Sequence, residues 1–470
     1  MDECRDEGMN TWRAEKTSIQ SPAESYIEWR FECRCEELAN GNDILTEWRE
    51  RKRQYKSWTD TIAYDFQHFS RHDASHSINI LEAIEMLLGK ERIDKLSAGD
   101  LWMLLECAYQ HDIGMSITYE DLTTLWKDQN FKEYIEERIY SELADDREAA
   151  LFYYKLDRLV RNEKKISEIE NAQRKGKKEE SVSSDEEDTP WEVHIQKCLM
   201  YLVSSYIRKG HADLVLKLEK RIRVPENSVI PERLYTVAQI ASRLHGESDY
   251  EEILKQLKEC TKGFGNGRVH PRFVCAMLRV GDVLDIENNR FNIRTIQHFG
   301  DLPRESLLHF EKHKSITHIK ITPMQVEVEA SSEDMKVCNK LSEDFHNIES
   351  EIKNLICYWN VMSPVELGGC TMQQAKCRIY LGNSERRYDS SYDRRVEMDR
   401  ENLMPLFMGE NIYKNSFEFI REHLQNALDA TKMQLWLDIK NNKTHRKFMI
   451  SLRYHHWIYH VICMNSIRLK

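Results

Sequence analysis

The chain has 470 residues, more than one compact core holds, so two or three domains are expected. A hydrophobic fraction of 41%, with 9 prolines and 17 glycines, describes an ordinary globular protein built on long helices rather than a turn-rich β fold. The net charge of −11 excludes a broad nucleic-acid surface but leaves room for a local basic pocket. No apolar run reaches the length of a membrane span, and the stretch from Met1 to Asp6 is charged, which argues against a signal peptide. The 12 cysteines are dispersed and form no CxxC, so reduced thiols in a cytoplasmic protein are expected.

In chain order, residues 26–69 read as one or two amphipathic helices leading into His72, and an N-terminal helical extension is drawn at 1–60. His72 and His76 are four apart, which places both imidazoles on one helical face. Ile80, Leu81, Ile84, Leu87 and Leu88 form the stripe of the helix that follows. Ser97 to Asp100 reads as a helix cap, ahead of the stripe Leu101, Leu104, Leu105, Ala108. That stripe ends in His111-Asp112, with Asp112 at its next inward position.

Further helical pattern runs from about Glu120 to Val160. The segment 161–190 contains Arg174 to Lys178 and the acidic run Asp185 to Asp188, with almost no large apolar residues. It reads as an exposed charged insertion, a solvated linker or a regulatory tail. Three more stripes then end in polar groups. Leu199, Leu202, Val203 and Ile207 lead to His211, and Val237, Ile240, Ala241 and Leu244 lead to His245. Val274, Met277 and Leu278 lead to Asp282, with Asp285 just beyond. From Thr317 the alternation changes to period two and predicts a β-hairpin, followed by a long helix over Glu333 to Trp359.

A carboxylate facing a core is costly unless it is paired or holds a metal. A lone histidine on an apolar face is usually a hydrogen-bonded core residue, but His76, His111, Asp112, His211, His245 and Asp282 make six such groups. Imidazoles and carboxylates together suit Zn, Mn, Fe, Ni or Mg, and such an ion lowers the pKa of bound water and polarises a phosphoryl oxygen.

The order His76 … His111-Asp112 … Asp282 resembles the HD superfamily of metal-dependent phosphohydrolases over roughly residues 61–290. The resemblance implies that these four residues are metal ligands. His211 and His245 are similar to the extra histidines of the binuclear branch, which implies two ions. By analogy with the cyclic-nucleotide phosphodiesterases, His72 would protonate the leaving oxygen, with Asp112 also in the catalytic set. Arg71 or Arg279 would clamp a substrate phosphate, or else pair with a nearby carboxylate.

Near the C-terminus, Glu422, Asn426, Asp429 and Ala430 stand in a Glu-x-x-x-Asn-Ala-x-Asp-Ala pattern that resembles the N-box of the GHKL ATPases. In that family the glutamate activates water and the asparagine binds magnesium, which assigns catalysis to Glu422, a metal ligand to Asn426 and nucleotide binding to all four. The Asp-x-Gly-x-Gly box and glycine-rich lid of that family do not follow, so a truncated or frame-shifted relative is expected, with Mg-ATP bound only if the segment functions.

The expected fold is therefore mainly α: an HD bundle at 61–300, a β-hairpin and long helix at 301–362, and a partial α/β GHKL (Bergerat) segment at 375–470. HD proteins fused to such ATPase modules resemble bacterial conflict or antiphage effectors. The expected function is metal-dependent hydrolysis of a nucleotide or related phosphate ester, with no membrane partner. The alternatives are an ATP-regulated chaperone-like switch whose HD part only binds nucleotide, and an inactive helical scaffold.

Overall fold

One helix, Ala98–Gln110, is buried from Gly99 to Gln110, and the other elements are laid against it. Such all-round burial marks the centre of a bundle rather than a surface layer. The computed structural model describes residues 22–65, 73–142, 191–216, 222, 224–247, 249–286, 304–382 and 388.

Among these, the helices are α1 (Tyr26–Glu36), α2 (Gly41–Asp65), α3 (Ala74–Leu88), α4 (Lys90–Ile93), α5 (Ala98–Gln110), α6 (Tyr119–Lys127) and α7 (Gln129–Glu142). They continue as α8 (Trp191–Leu214), α9 (Glu232–Arg243), α10 (Tyr250–Gln256), α11 (Pro271–Leu284), α12 (Arg304–Lys314) and α13 (Met335–Met362). As the sequence predicts, the Ser97 side chain caps α5 by accepting from the Asp100 N–H at 3.0 Å. Helices α1, α3, α9 and α11 all pack on α5.

The extension drawn at 1–60 is no appendage: Tyr26, Phe31, Ile44, Trp48 and Tyr55 are fully buried in the same core as α5. Helix α2 itself runs on to Asp65, across the drawn boundary. The segment drawn from 375 opens with a strand that belongs to the preceding sheet. Strands β1 (Thr261–Lys262) and β2 (Arg268–Val269) form a small antiparallel ladder. The predicted hairpin is β3 (Ile316–Ile321) against β4 (Gln325–Ser332), and β5 (Gln374–Leu381) joins β4 in parallel, with Val328 opposite both Ile319 and Cys377. Helix α13 makes the crossover between β4 and β5 and covers both.

Between α1 and α3 lies a buried acid. Glu85 accepts the backbone N–H of Ile27 at 2.8 Å, so α3 satisfies a free donor in the first turn of α1. Burial pushes the Glu85 carboxyl up to about 8, against the hydrogen bonds from Ile27 and Tyr26 that favour its charge. The unfolded chain releases this proton near the ordinary carboxylate value while the native state keeps it. Stability is therefore lost as pH rises from about 4.5 to 8, by a few kcal/mol at most. Glu85→Gln is expected to leave the melting temperature unchanged at pH 4 and to raise it by several degrees at pH 8. A thermal melt series checks this, and an equal gain at both pH values would refute it.

Candidate metal centre

Helix ends place the candidate ligands. His76 lies in the first turn of α3, where Asp73 caps the helix by accepting from Ser75 N–H at 2.9 Å. His111 and Asp112 follow the last turn of α5, and His211 ends α8. His245 sits in the 3-10 turn Leu244–Gly246 after α9, and Asp282 and Asp285 close α11.

Three of the four histidines repeat one device. Nδ1 of His111 meets the Ala108 carbonyl at 3.0 Å, Nδ1 of His211 meets the Arg208 carbonyl at 2.7 Å, and Nδ1 of His245 meets the Ser242 carbonyl. In each case the carbonyl is that of the residue three positions earlier, so the local helical backbone sets the imidazole. His76 Nδ1 instead contacts Asp285 Oδ2 at 2.5 Å, and Asn79 holds the other Asp285 oxygen at 3.0 Å.

This fixes the tautomers. A carbonyl only accepts, so Nδ1 of His111, His211 and His245 carries the hydrogen and Nε2 is left as a lone pair. Those lone pairs converge. Nε2 of His111 is 3.2 Å from Nε2 of His76, and Nε2 of His211 is 3.1 Å from Nε2 of His245. Asp112 joins the two pairs: Oδ2 lies 3.2 Å from both His76 and His111, and Oδ1 lies 3.2 Å from His211. Asp282 Oδ1 adds a further acceptor 3.3 Å from His76 Nε2.

The ligand atoms form two groups, His76–His111–Asp112 and Asp112–His211–His245, each within 4.8 Å. A cluster made of acceptors alone repels itself unless cations or protons lie between them. The titration behaviour fits that picture. Burial works against the charge on His211, yet the hydrogen bond and charge of Asp112 raise its pKa on balance. Burial together with His111 and His211 pushes His245 down to about 4. Burial opposes ionisation of Asp282, but His76 and His111 hold its carboxyl far below the carboxylate range. The donor set of imidazole Nε2 and carboxylate oxygen, already oriented from outside by carbonyls and Asp285, fits a divalent ion.

Two glycines permit the close approach. A Cβ on Gly281 of α11 would lie 2.9 Å from Ile80 Cγ2, so α11 touches α3 and His76 meets Asp282. A Cβ on Gly114 would lie 2.2 Å from the His211 carbonyl oxygen. Gly114→Ala must therefore push the end of α8 from Asp112. The expected result is a lower melting temperature and weaker cation binding, at least tenfold in isothermal titration, at the His211 side alone.

Asp285, given no role by the sequence reading, holds His76. Its signal was its place one turn beyond Asp282. Arg279 pairs with a carboxylate: Nε and Nη2 grip both Glu351 oxygens at 3.0 and 2.5 Å. Its Nη1 donates to the carbonyls of Leu244 and His245 at 2.9 and 3.0 Å, and also to that of Glu247. Carboxylate pairing, the other reading the sequence left open, is the one observed. Arg71, His72, Glu422, Asn426, Asp429 and Ala430 lie outside the described residues, as does the insertion at 161–190.

The helical bundle and the imidazole–carboxylate cluster at its helix ends define an HD-like, metal-binding domain. The match to the HD-CE family covers residues 66–358, more than half of the chain. The chain belongs to the HD-CE family. No curated protein and no solved structure matches it.

Proposed function

We propose that the chain is a metal-dependent phosphohydrolase that acts on a nucleotide or related phosphate ester, as a conflict effector of the HD-CE family. One observation carries the reading: the imidazole Nε2 atoms and the Asp112 oxygens converge, while each Nδ1 is turned outward to a carbonyl or to Asp285. His76, His111, Asp112 and Asp282 would hold one divalent ion, and Asp112, His211 and His245 a second. A divalent ion supplies a water of lowered pKa and charge stabilisation for the phosphoryl group.

Asp285 keeps His76 oriented with Nε2 inward, and the carbonyls of Ala108, Arg208 and Ser242 do the same for the other imidazoles. His72, four residues ahead of His76, is assigned the proton for the leaving oxygen. The test is metal analysis of protein purified without chelator, then a screen of nucleotides with His111→Ala as the blank. The expected result is bound divalent ion, and release of phosphate or a cleaved ester that His111→Ala lacks. Wild-type protein that takes up none of Mn, Fe, Zn, Ni or Mg would end this reading.

A further inference from the structure

The second ligand group is held from outside by a clasp that the metal chemistry does not require. His245 is carried on a single 3-10 turn, Leu244–Gly246, rather than on a helix. Such a turn has few internal hydrogen bonds to fix it. Arg279 of α11 is buried behind it, 6% exposed, and its Nη1 donates to the carbonyls of Leu244, His245 and Glu247. The other edge of the guanidinium is gripped by both oxygens of Glu351 on α13. Tyr250 closes the assembly: its ring lies under the guanidinium at 4.9 Å, and its hydroxyl donates to Glu351 Oε2 at 2.7 Å.

The shape of the guanidinium matters. Nε and Nη2 meet the carboxylate in a bidentate pair, and that orientation leaves Nη1 aimed at the turn. A lysine ammonium could meet the carboxylate or the carbonyls, but not both in this geometry. Removal of Glu351 would leave Arg279 free to rotate away from the turn, so the side chain that sets the turn is itself set by α13.

We infer that Arg279, oriented by Glu351 and Tyr250, is a positioning residue that sets His245 for the second cation. The first ligand group has its own supports: His76 is held by Asp285, and His111 by Ala108. The clasp therefore acts on one ion and not the other. It also ties occupancy of that ion to α13, the helix that covers β4 and β5. The inference rests on the two-ion reading proposed above.

The test is a titration of the full chain with Mn(II), followed by isothermal calorimetry and electron paramagnetic resonance, which separates an isolated Mn(II) from an exchange-coupled pair. Wild type is expected to bind two ions with a coupled signal, and His245→Ala one ion with an isolated signal. Glu351→Gln and Arg279→Lys are expected to follow His245→Ala. Their second-ion affinity should fall at least tenfold while the first is unchanged, and Glu351→Asp should restore part of it. Tyr250→Phe, which removes one hydroxyl, is the mild variant should the others unfold, and it should weaken the second ion alone. Wild type that binds a single ion would overturn the two-ion reading itself. Wild type with two ions beside clasp variants that also keep both, or lose both together on melting, would overturn only the role of the clasp.

Discussion

Asp112→Ala is expected to cost the protein both ions at once, whereas His245→Ala should cost only one. The reason is the position of the carboxylate: Oδ2 faces His76 and His111, and Oδ1 faces His211, each at 3.2 Å. No other side chain among the described residues belongs to both ligand groups. Without Asp112 the two groups keep their four imidazoles and Asp282 but lose the negative charge shared between them, and two neighbouring dications then repel each other more strongly. The affinity for each ion should fall by a hundredfold or more, and hydrolysis should drop to background. A second readout needs no substrate. An ion bound at a hundred times its dissociation constant stabilises the native state by about 2.7 kcal/mol, so chelator should lower the wild-type melting temperature and leave Asp112→Ala unmoved. Asp112→Ala protein that still binds two ions would refute the bridging role.

Four of the six candidate ligands were legible because each continues an apolar helical stripe by one more inward position. Ala108 to Asp112, Ile207 to His211, Ala241 to His245 and Leu278 to Asp282 all follow this rule, and the helix ends do converge. What supports them was not legible, for a physical reason. The carbonyls that orient His111, His211 and His245 are backbone groups three residues earlier, and no residue type marks them. Arg279 reads equally well as a phosphate clamp or an ion-pair partner, because its destination is Glu351, 72 positions away. The sheet divides in the same way. The hairpin is local and its period-two alternation announces it, but the parallel pairing of β5 with β4 depends on a long crossover through α13. The N-terminal helices looked like an extension because their aromatic residues carry no sign of which core they enter.

That last point leads to the largest effect expected on stability. Arg51 of α2 and Glu106 of α5 are 3% and 0% exposed, with Nε donating to Glu106 Oε1 at 2.9 Å. Tyr55 donates to the same oxygen at 2.6 Å, and the guanidinium lies 4.3 Å from the centre of the Tyr235 ring. Arg51→Met would leave a carboxylate in the middle of the central helix with no cation beside it, at a cost of about 3–5 kcal/mol. The double variant Arg51→Met/Glu106→Leu should recover most of that loss. Removing both charges leaves nothing unpaired, and Arg51 Nη1 and Glu106 Oε2 already lack hydrogen-bond partners. Chemical denaturation of the two single variants and the double variant measures the coupling. Were α1 and α2 an appendage, Arg51→Met would melt them alone and leave the bundle transition where it was. Because Gln110 accepts from Tyr55 beside this pair at 3.4 Å and donates to the Ser242 hydroxyl at 3.0 Å, and the Ser242 carbonyl orients His245, the expected outcome is instead one shifted transition in which fold and bound ion are lost together.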